Sequence, residues 1–424
     1  MSDPPSPAEE NTNMPFGMPA APLRWHIPRA LKTAVSGRSP NGLLVFVPIG
    51  IAAGTFGWSA KAVFALNFLA IIPLAPLITF SIDELSPSLG HAFGELMKPT
   101  SGNAVELIVA IIAVSRGHPL LARSSLLGSI LAYALLILGS SFFIAGYDKD
   151  KVPFDKTMTN TLSSLMMAVS FCLIVPTVMA VTTDGPESQI DSDARILSHA
   201  ISITLLIIFG IYLNFRAWFL EHKVQTDHPH EHPQNVGGAD SRSTLNPYAT
   251  SCILLSAILC AILCAFHLVG SIDGLSQALE VNKTFISLVL IPPVGYSARC
   301  VTIVGMARRC QMDLVMRSII HSILQITMLI LPLMVLLGWL LDHHLELDFN
   351  IFEATIFFLC LIVMTSTIQD GKANYFDGVM LMGTYVLIAA AFYVRPDVWE
   401  SLVPPSLAGS KIGHLLAATR DIST

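Results

Sequence analysis

Charge is what this chain of 424 residues has least of. Only 13% of its residues are Asp, Glu, Lys or Arg, against about 25% in an ordinary soluble domain. That shortage excludes a water-bathed globule of this size. A basic stripe is missing as well: 24 Lys and Arg stand against 30 Asp and Glu, for a net charge of −6. No tail or patch concentrates either sign, so nucleic acid is not an expected partner. Cysteine pairs are absent in the sense that matters. Cys172, Cys252, Cys260, Cys264, Cys300, Cys310 and Cys360 all fall inside apolar runs with no CxxC spacing. This excludes a disulfide framework and a zinc site and leaves small apolar packing residues. No short apolar run follows Met1, so no cleaved signal peptide is expected. No nucleophile–base constellation and no phosphate loop is found, so the chain is not expected to be an enzyme and no cofactor is called for. The glycosylation pattern Asn282-Lys283-Thr284 lies too close to a helix start to be used.

What fills the chain instead is hydrocarbon-loving sequence: 53% of residues are hydrophobic and the mean hydropathy is +0.63. Apolar segments at 42–58, 61–81, 101–115, 120–146, 158–183 and 196–220 precede a polar stretch at 221–247. Five more follow at 249–270, 282–307, 314–341, 350–369 and 374–394. Each is near the length of about 20 residues that a bilayer requires, and the runs are continuous rather than alternating. The expected fold is therefore all-α and integral to the membrane, with about 11 transmembrane helices. A Pro-rich arm (1–40) reads as disordered and cytosolic, 221–247 as a His-containing cytosolic linker and 396–424 as a C-terminal tail. With the N-terminus in the cytosol, Lys149, Lys151, Lys156, Lys223, Arg308, Arg309 and Lys372 fall on the cytosolic side, while the acidic stretches Asp184–Asp193 and Asp342–Asp348 fall opposite. Arg116 and Arg123 run against this assignment. Trp58, Trp218 and Trp339 sit at segment ends, as interfacial anchors do.

The chain repeats itself. Gly102 to Leu138 aligns without a gap on Gly295 to Leu331, at a constant offset of 193 residues. Arg116 falls on Arg309, Ser125 on Ser318, and Ser129-Ile130-Leu131 on Ser322-Ile323-Leu324. Five segments separate equivalent positions, an odd number, so the second copy is upside down in the membrane. Two inverted five-helix repeats with one extra helix in front are a secondary-transporter architecture, with the site near the midplane where the copies meet.

The first copy carries Gly102-Asn103-Ala104-Val105-Glu106 inside the third apolar segment. A carboxylate in hydrocarbon costs about 2.5–3.5 kcal/mol on insertion scales, and such residues are usually functional. Carboxylate and amide oxygens are hard ligands suited to Ca²⁺ or Mg²⁺. Burial favours the protonated acid, so Glu106 can trade protons for a cation, and Gly102 allows close backbone approach. Glu106 is thus the expected metal ligand.

The stretch SGNAVELIVAII (101–112) resembles the first signature of the calcium/proton exchangers, a family of the Ca²⁺:cation antiporter superfamily. LLVFVPIGIAAG (43–54), AVFALNFLAIIPLAPL (62–77), SSLLGSIL (124–131), SIDGL (271–275), NKTFISLVLIPPVG (282–295), Asp370-Gly371-Lys372 and AAAFYV (389–394) carry the resemblance over roughly residues 40–395. It implies two exchanger halves, at 41–220 and 248–395. It also implies a vacuolar membrane of the fungal or plant type, and a cation/proton site built from the Gly-Asn-x-x-Glu motifs of both halves. Matched residue by residue, that gives Gly102, Asn103, Glu106, Gly295, Ser322 and Gln325, with Glu84 and Ser129 as accessory candidates. The implied partners are Ca²⁺ or another metal cation, protons and the bilayer; a homo-oligomer is left open.

The second copy departs from the pattern. It reads Gly295-Tyr296-Ser297-Ala298-Arg299-Cys300, so Tyr296 replaces the family's asparagine and Arg299 its second glutamate. Phe266 stands where relatives carry a glutamate, and Tyr133, Ala132 and Lys98 are further departures. Glu106 and Arg299 together present about zero charge to a divalent ion, where two glutamates would present about two negative ones. Two readings follow. One is a working antiporter of Ca²⁺, or a related metal cation, against lumenal H⁺ with altered selectivity. The other is a transport-impaired or regulatory paralogue, in which Glu106 and Arg299 form an ion pair at the midplane. His222, His228, His230 and His232 make a biased tract, read as a solvated linker with weak metal-binding capacity.

Overall fold

Backbone N–H and C=O groups in hydrocarbon have no water to bond, so apolar runs of this length close their hydrogen bonds within themselves as helices. The computed structural model describes residues 41–89, 100–147, 151–182, 187–227, 247–341, 345 and 347–394. The N-terminal arm, Lys98, His228, His230, His232, the segment 342–344 and the tail lie outside these. A short 3₁₀ turn, Asn41–Val45, leads into α1 (Phe46–Thr55). There follow α2 (Ala60–Leu85), α3 (Ala104–Ser115), α4 (Pro119–Gly146), α5 (Lys156–Thr182) and α6 (Glu187–Asp227). The second half comprises α7 (Pro247–Gly270), α8 (Ile272–Leu279), α9 (Pro292–Arg308), α10 (Met312–Leu340), α11 (Ile351–Ile368) and α12 (Tyr375–Val394).

Helix appears in every expected segment, but eleven full spans do not. Among the described residues eight helices are long and apolar enough to cross a membrane, and nine if one bent pair counts as a single span. That pair, Ile272–Leu279 with Lys283–Ser297, turns by 119°. The segments expected at 42–58 and 101–115 form only the shorter helices Leu43–Thr55 and Ala104–Ser115. The second is short because Gly102 and Asn103 form a turn and break it. Helix α6 is longer than its apolar stretch at both ends: it takes in part of the expected acidic loop and runs on to Asp227. No proline stands between Glu187 and Asp227, and Pro229 is the first proline after it.

The internal repeat is visible in backbone detail. Helix α3 ends at Gly117, with a φ of 75°, and α9 ends at Cys310, with a φ of 56°, 193 residues later. The closing bonds correspond one to one. Gly117 N donates to Val114 O and His118 N to Ala113 O; Cys310 N donates to Ala307 O and Gln311 N to Met306 O. Helices α4 and α10 contain π-helical turns at the equivalent places, Ala132–Ile137 and Ile326–Ile330. These two are also the most buried spans, so the core runs along them where the halves meet. π-Turns inside helices are often found at functional sites.

A two-residue antiparallel ribbon, Val152 to Ala373 and Pro153 to Lys372, joins the loop before α5 to the loop before α12. This ribbon side also holds the bond from Asp155 N to Asp313 Oδ1 at 2.5 Å. Lys151, Lys156 and Lys372 therefore gather on one side, as the sequence predicts. On the far side the chain around Leu347 is stitched down by Ser198 and Thr177. The two arginines that run against the charge rule are both tied there. Arg116 lies over the Phe266 ring at 3.5 Å; Arg123 donates to the Asp348 carbonyl, with its Nη2 3.9 Å from Glu353.

Helices α4 and α12 touch through their backbones. A methyl group at Gly139 would lie 2.8 Å from the Gly378 carbonyl oxygen, and one at Gly378 2.5 Å from that of Gly139. In hydrocarbon, helices associate through such close small-residue crossings. Replacing Gly378 with Val is expected to lower stability by about 1–3 kcal/mol through overpacking, read as a lower melting temperature in detergent. Asn282 caps its helix turn by accepting from Phe285 N at 2.5 Å and donates to the Phe392 carbonyl at 3.0 Å.

Candidate cation site

The site forms where α3 begins. Gly102 and Asn103 form the turn that precedes it, and the Asn103 side chain does not cap the helix. It reaches across to α10 instead. Asn103 Nδ2 donates to the Ser322 carbonyl at 3.3 Å and to Gln325 Oε1 at 3.2 Å. Gln325 Nε2 returns a bond to the Thr100 carbonyl at 3.1 Å. Asn103 Oδ1 accepts from the Tyr133 hydroxyl at 3.3 Å, so α4 is tied in as well. Asn103, Ser322 and Gln325, named from the sequence, are thus brought together. The two parts the sequence reading did not assign to the site are Tyr133, noted there only as a departure, and the Thr100 carbonyl.

Glu106 lies in the first turn of α3 and is 5% exposed. Neither of its carboxylate oxygens has a hydrogen-bond partner. Buried polar atoms are nearly always bonded, so a carboxylate with both oxygens unpartnered calls for an explanation beyond packing. The Ser129 hydroxyl, on α4 at the place equivalent to Ser322 on α10, is also buried without a partner. Both orphans are oxygens, the atoms a hard cation seeks.

The glycines explain the close approach. A side chain at Gly295 would collide with the Glu106 carboxylate, and one at Gly102 with the Arg299 guanidinium. Each charged residue therefore packs on the first glycine of the other copy's motif, a reciprocal fit that the repeat alone brings about. The expected ion pair between the two is not formed. Arg299 Nη1 donates instead to Ser322 Oγ at 2.7 Å, and Ser322 Oγ donates on to the Ser318 carbonyl at 2.9 Å. The reason is geometric: the two side chains pass each other toward opposite helices. Tyr296 fills the place of the missing amide by packing edge-on against Tyr133, with ring centroids 6.0 Å apart. Ala132 stands at the repeat equivalent of Gln325 and has no amide to offer.

One candidate stands apart. Phe266 packs under Arg116, ten residues and about 15 Å of helix rise along α3 from Glu106. Glu84 sits part-buried in the last turn of α2. Among the described residues no group of three or more His, Cys, Asp or Glu could hold a metal ion. A cation here would be held by one carboxylate and neutral oxygens.

The Sodium/calcium exchanger protein family matches residues 59–218 and 250–394. The chain is 34% identical to a "Vacuolar calcium ion transporter" of Schizosaccharomyces pombe, over 84% of this chain and 85% of that one. It is 32% identical to "Vacuolar cation/proton exchanger 2" of Arabidopsis thaliana, over 91% and 88%. Among solved structures, native YfkE superposes with a TM-score of 0.68 at 23% identity, over 83% of this chain and all of that one. The H⁺/Ca²⁺ exchanger CAX does so with a TM-score of 0.59 at 14% identity, over 94% and 98%; these two likenesses establish the fold. With both halves matched and the repeat visible in the backbone, the chain belongs to the sodium/calcium exchanger family.

Proposed function

We propose that this chain is a secondary antiporter of the vacuolar membrane, exchanging cytosolic Ca²⁺ or a related metal cation for lumenal H⁺ at Glu106. The observation that carries this reading is the buried Glu106 carboxylate with no hydrogen-bond partner, at a helix break where the two inverted halves meet. Such a carboxylate is stable when its charge is cancelled, by a proton or by a metal cation. One occupant excludes the other, and mutual exclusion at one site open to each side in turn is antiport. Asn103, Ser129 and backbone carbonyls are the neutral oxygens we assign to the cation. Gly102 and Gly295 let the charged side chains in, and Ser322 and Gln325 hold the frame. The names of the S. pombe and A. thaliana relatives support both the substrates and the vacuolar membrane.

The transport-impaired reading has no such support. Its lock was an ion pair, and Arg299 bonds Ser322 instead. The test is reconstitution of the full chain in vesicles with an acid interior. Ca²⁺ uptake that stops when a protonophore dissipates the gradient is expected. Absence of uptake for Ca²⁺ and Mn²⁺ alike would overturn the proposal.

A further inference from the structure

On the ribbon side a groove of about 630 Å³ opens between α5 and α11. Lys156, Asn160, Ser163 and Ser164 line it from one helix, Thr365 and Gln369 from the other. These residues form single faces: one turn apart on α11, and at steps of three and four on α5. Ser163 and Ser164 spend their hydroxyl hydrogens on their own helix, on the Thr159 and Asn160 carbonyls. Thr365 does not; its hydroxyl is buried and has no partner, although Thr355 and Thr367 on the same helix both bond back. Lys156 is the charged residue of the lining, and no carboxylate joins it there.

The repeat supplies a comparison. The equivalent notch on the far side lies between the start of α11 and the end of α5. There the chain fills it with its own residues: Leu347 and Phe349 are buried, and their backbone N–H groups donate to Ser198 and Thr177. The position equivalent to Asn160 is Glu353, which Ser124 and Arg123 hold. On the ribbon side the equivalent segment packs in only in part: Phe154, at the place of Leu347, is buried and its N–H donates to the Gly371 carbonyl, but Lys156 stands at the place of Phe349 and the notch beside it is polar.

Depth and pattern say what fits. The groove occupies the ribbon-side ends of two membrane-crossing helices, where headgroups meet hydrocarbon. Going inward, the α5 face changes from Asn160 and Ser164 to Met167 and then to Phe171, which is 65% exposed; on α11, Thr365 gives way to Ile362, 37% exposed. A polar notch with one ammonium at headgroup depth, continued by an open apolar stripe, has the layout of a phospholipid. We propose that the α5–α11 groove binds the headgroup of an anionic phospholipid. Lys156 would meet its phosphate or carboxylate, Thr365, Asn160 and Gln369 would donate to it, and the acyl chains would lie along Phe171 and Ile362. A zwitterionic headgroup offers Lys156 no net negative charge and is disfavoured.

The experiment is native mass spectrometry of the full chain, delipidated in detergent and titrated with phosphatidylserine or phosphatidylcholine. Wild type is expected to retain phosphatidylserine at least fivefold better. Lys156→Ala and Thr365→Val should each remove most of that preference, and Lys156→Arg should restore it. Equal retention of the two lipids by wild type, or wild-type retention by Lys156→Ala and Thr365→Val, overturns the proposal. So does displacement of phosphatidylserine by millimolar inorganic phosphate, which would mark a free-anion site. Thr365→Val keeps shape and volume, so a folding failure of Lys156→Ala does not remove the test.

Discussion

Glu106→Gln is expected to reduce proton-driven cation uptake at least 100-fold, to background, while the protein still folds. Glutamine keeps the shape that packs on Gly295 but has no charge for a proton or cation to cancel. A 100-fold loss corresponds to about 2.8 kcal/mol, within the scale of a single charge–charge contact in a poorly solvated interior. Folding is checked by melting temperature in detergent, where little change is expected because the carboxylate makes no bond that is lost. Glu353 is the control. It too is a carboxylate buried to 5% exposure, but Ser124 Oγ donates to it at 3.3 Å and Arg123 lies 3.9 Å away. Glu353→Gln is expected to lower the melting temperature, because it leaves Arg123 short of its counter-charge, and to leave the cation dependence of uptake unchanged. Uptake by Glu106→Gln above a tenth of wild type would mean that exchange takes place elsewhere.

The contrast between these two glutamates is not legible in the chain itself. Position 106 stands out because it lies in an apolar run beside Gly102 and Asn103; that Glu106 lacks partners is a property of packing. The same division runs through the whole molecule. The offset of 193 residues is enough to anticipate matching helix ends, and Gly117 and Cys310 bear this out in the backbone. Nothing in the offset says that each motif glycine receives the other copy's charged residue, since that depends on how α3 and α9 cross. Equivalence across the repeat suggested that Glu106 and Arg299 would pair; the crossing sends them past each other, and Ser322 takes the guanidinium. Hydropathy located every apolar segment, but among the described residues only eight or nine reach the length of a span, because hydropathy does not register the break at Gly102–Asn103 or the 119° turn after Leu279. Tyr133 looked like one more departure from the family pattern, on α4. In the fold its hydroxyl serves Asn103 and its ring meets Tyr296, so two substitutions that look independent in the chain make one contact.

Arg299→Gln is expected to raise the apparent affinity for Ca²⁺ at least tenfold. The guanidinium lies against Gly102, four residues before Glu106, and the second copy's motif has no glutamate of its own. For a divalent ion held by Glu106 at a separation on the order of 7 Å, repulsion from Arg299 is about 5 kcal/mol at an effective dielectric constant of about 20. Relaxation and water can remove half of that and still leave more than the 1.4 kcal/mol that tenfold requires. For a monovalent ion the repulsion is half as large, so Arg299 discriminates against charge, and the substitution should shift competition toward divalent ions. Glutamine can still donate to Ser322 Oγ, which keeps the α9–α10 contact and separates this effect from loss of structure. Arg299→Lys retains the charge and should retain the low affinity, although a single ammonium cannot reproduce the planar fork of the guanidinium. The measurement is initial uptake against Ca²⁺ concentration, with Na⁺ and Mn²⁺ as competitors, for wild type and both variants. An unchanged Ca²⁺ dependence in Arg299→Gln would place the working orientation of Arg299 away from the ion, at an aqueous edge where its charge is screened. The low charge of the second half would then have no bearing on what is carried.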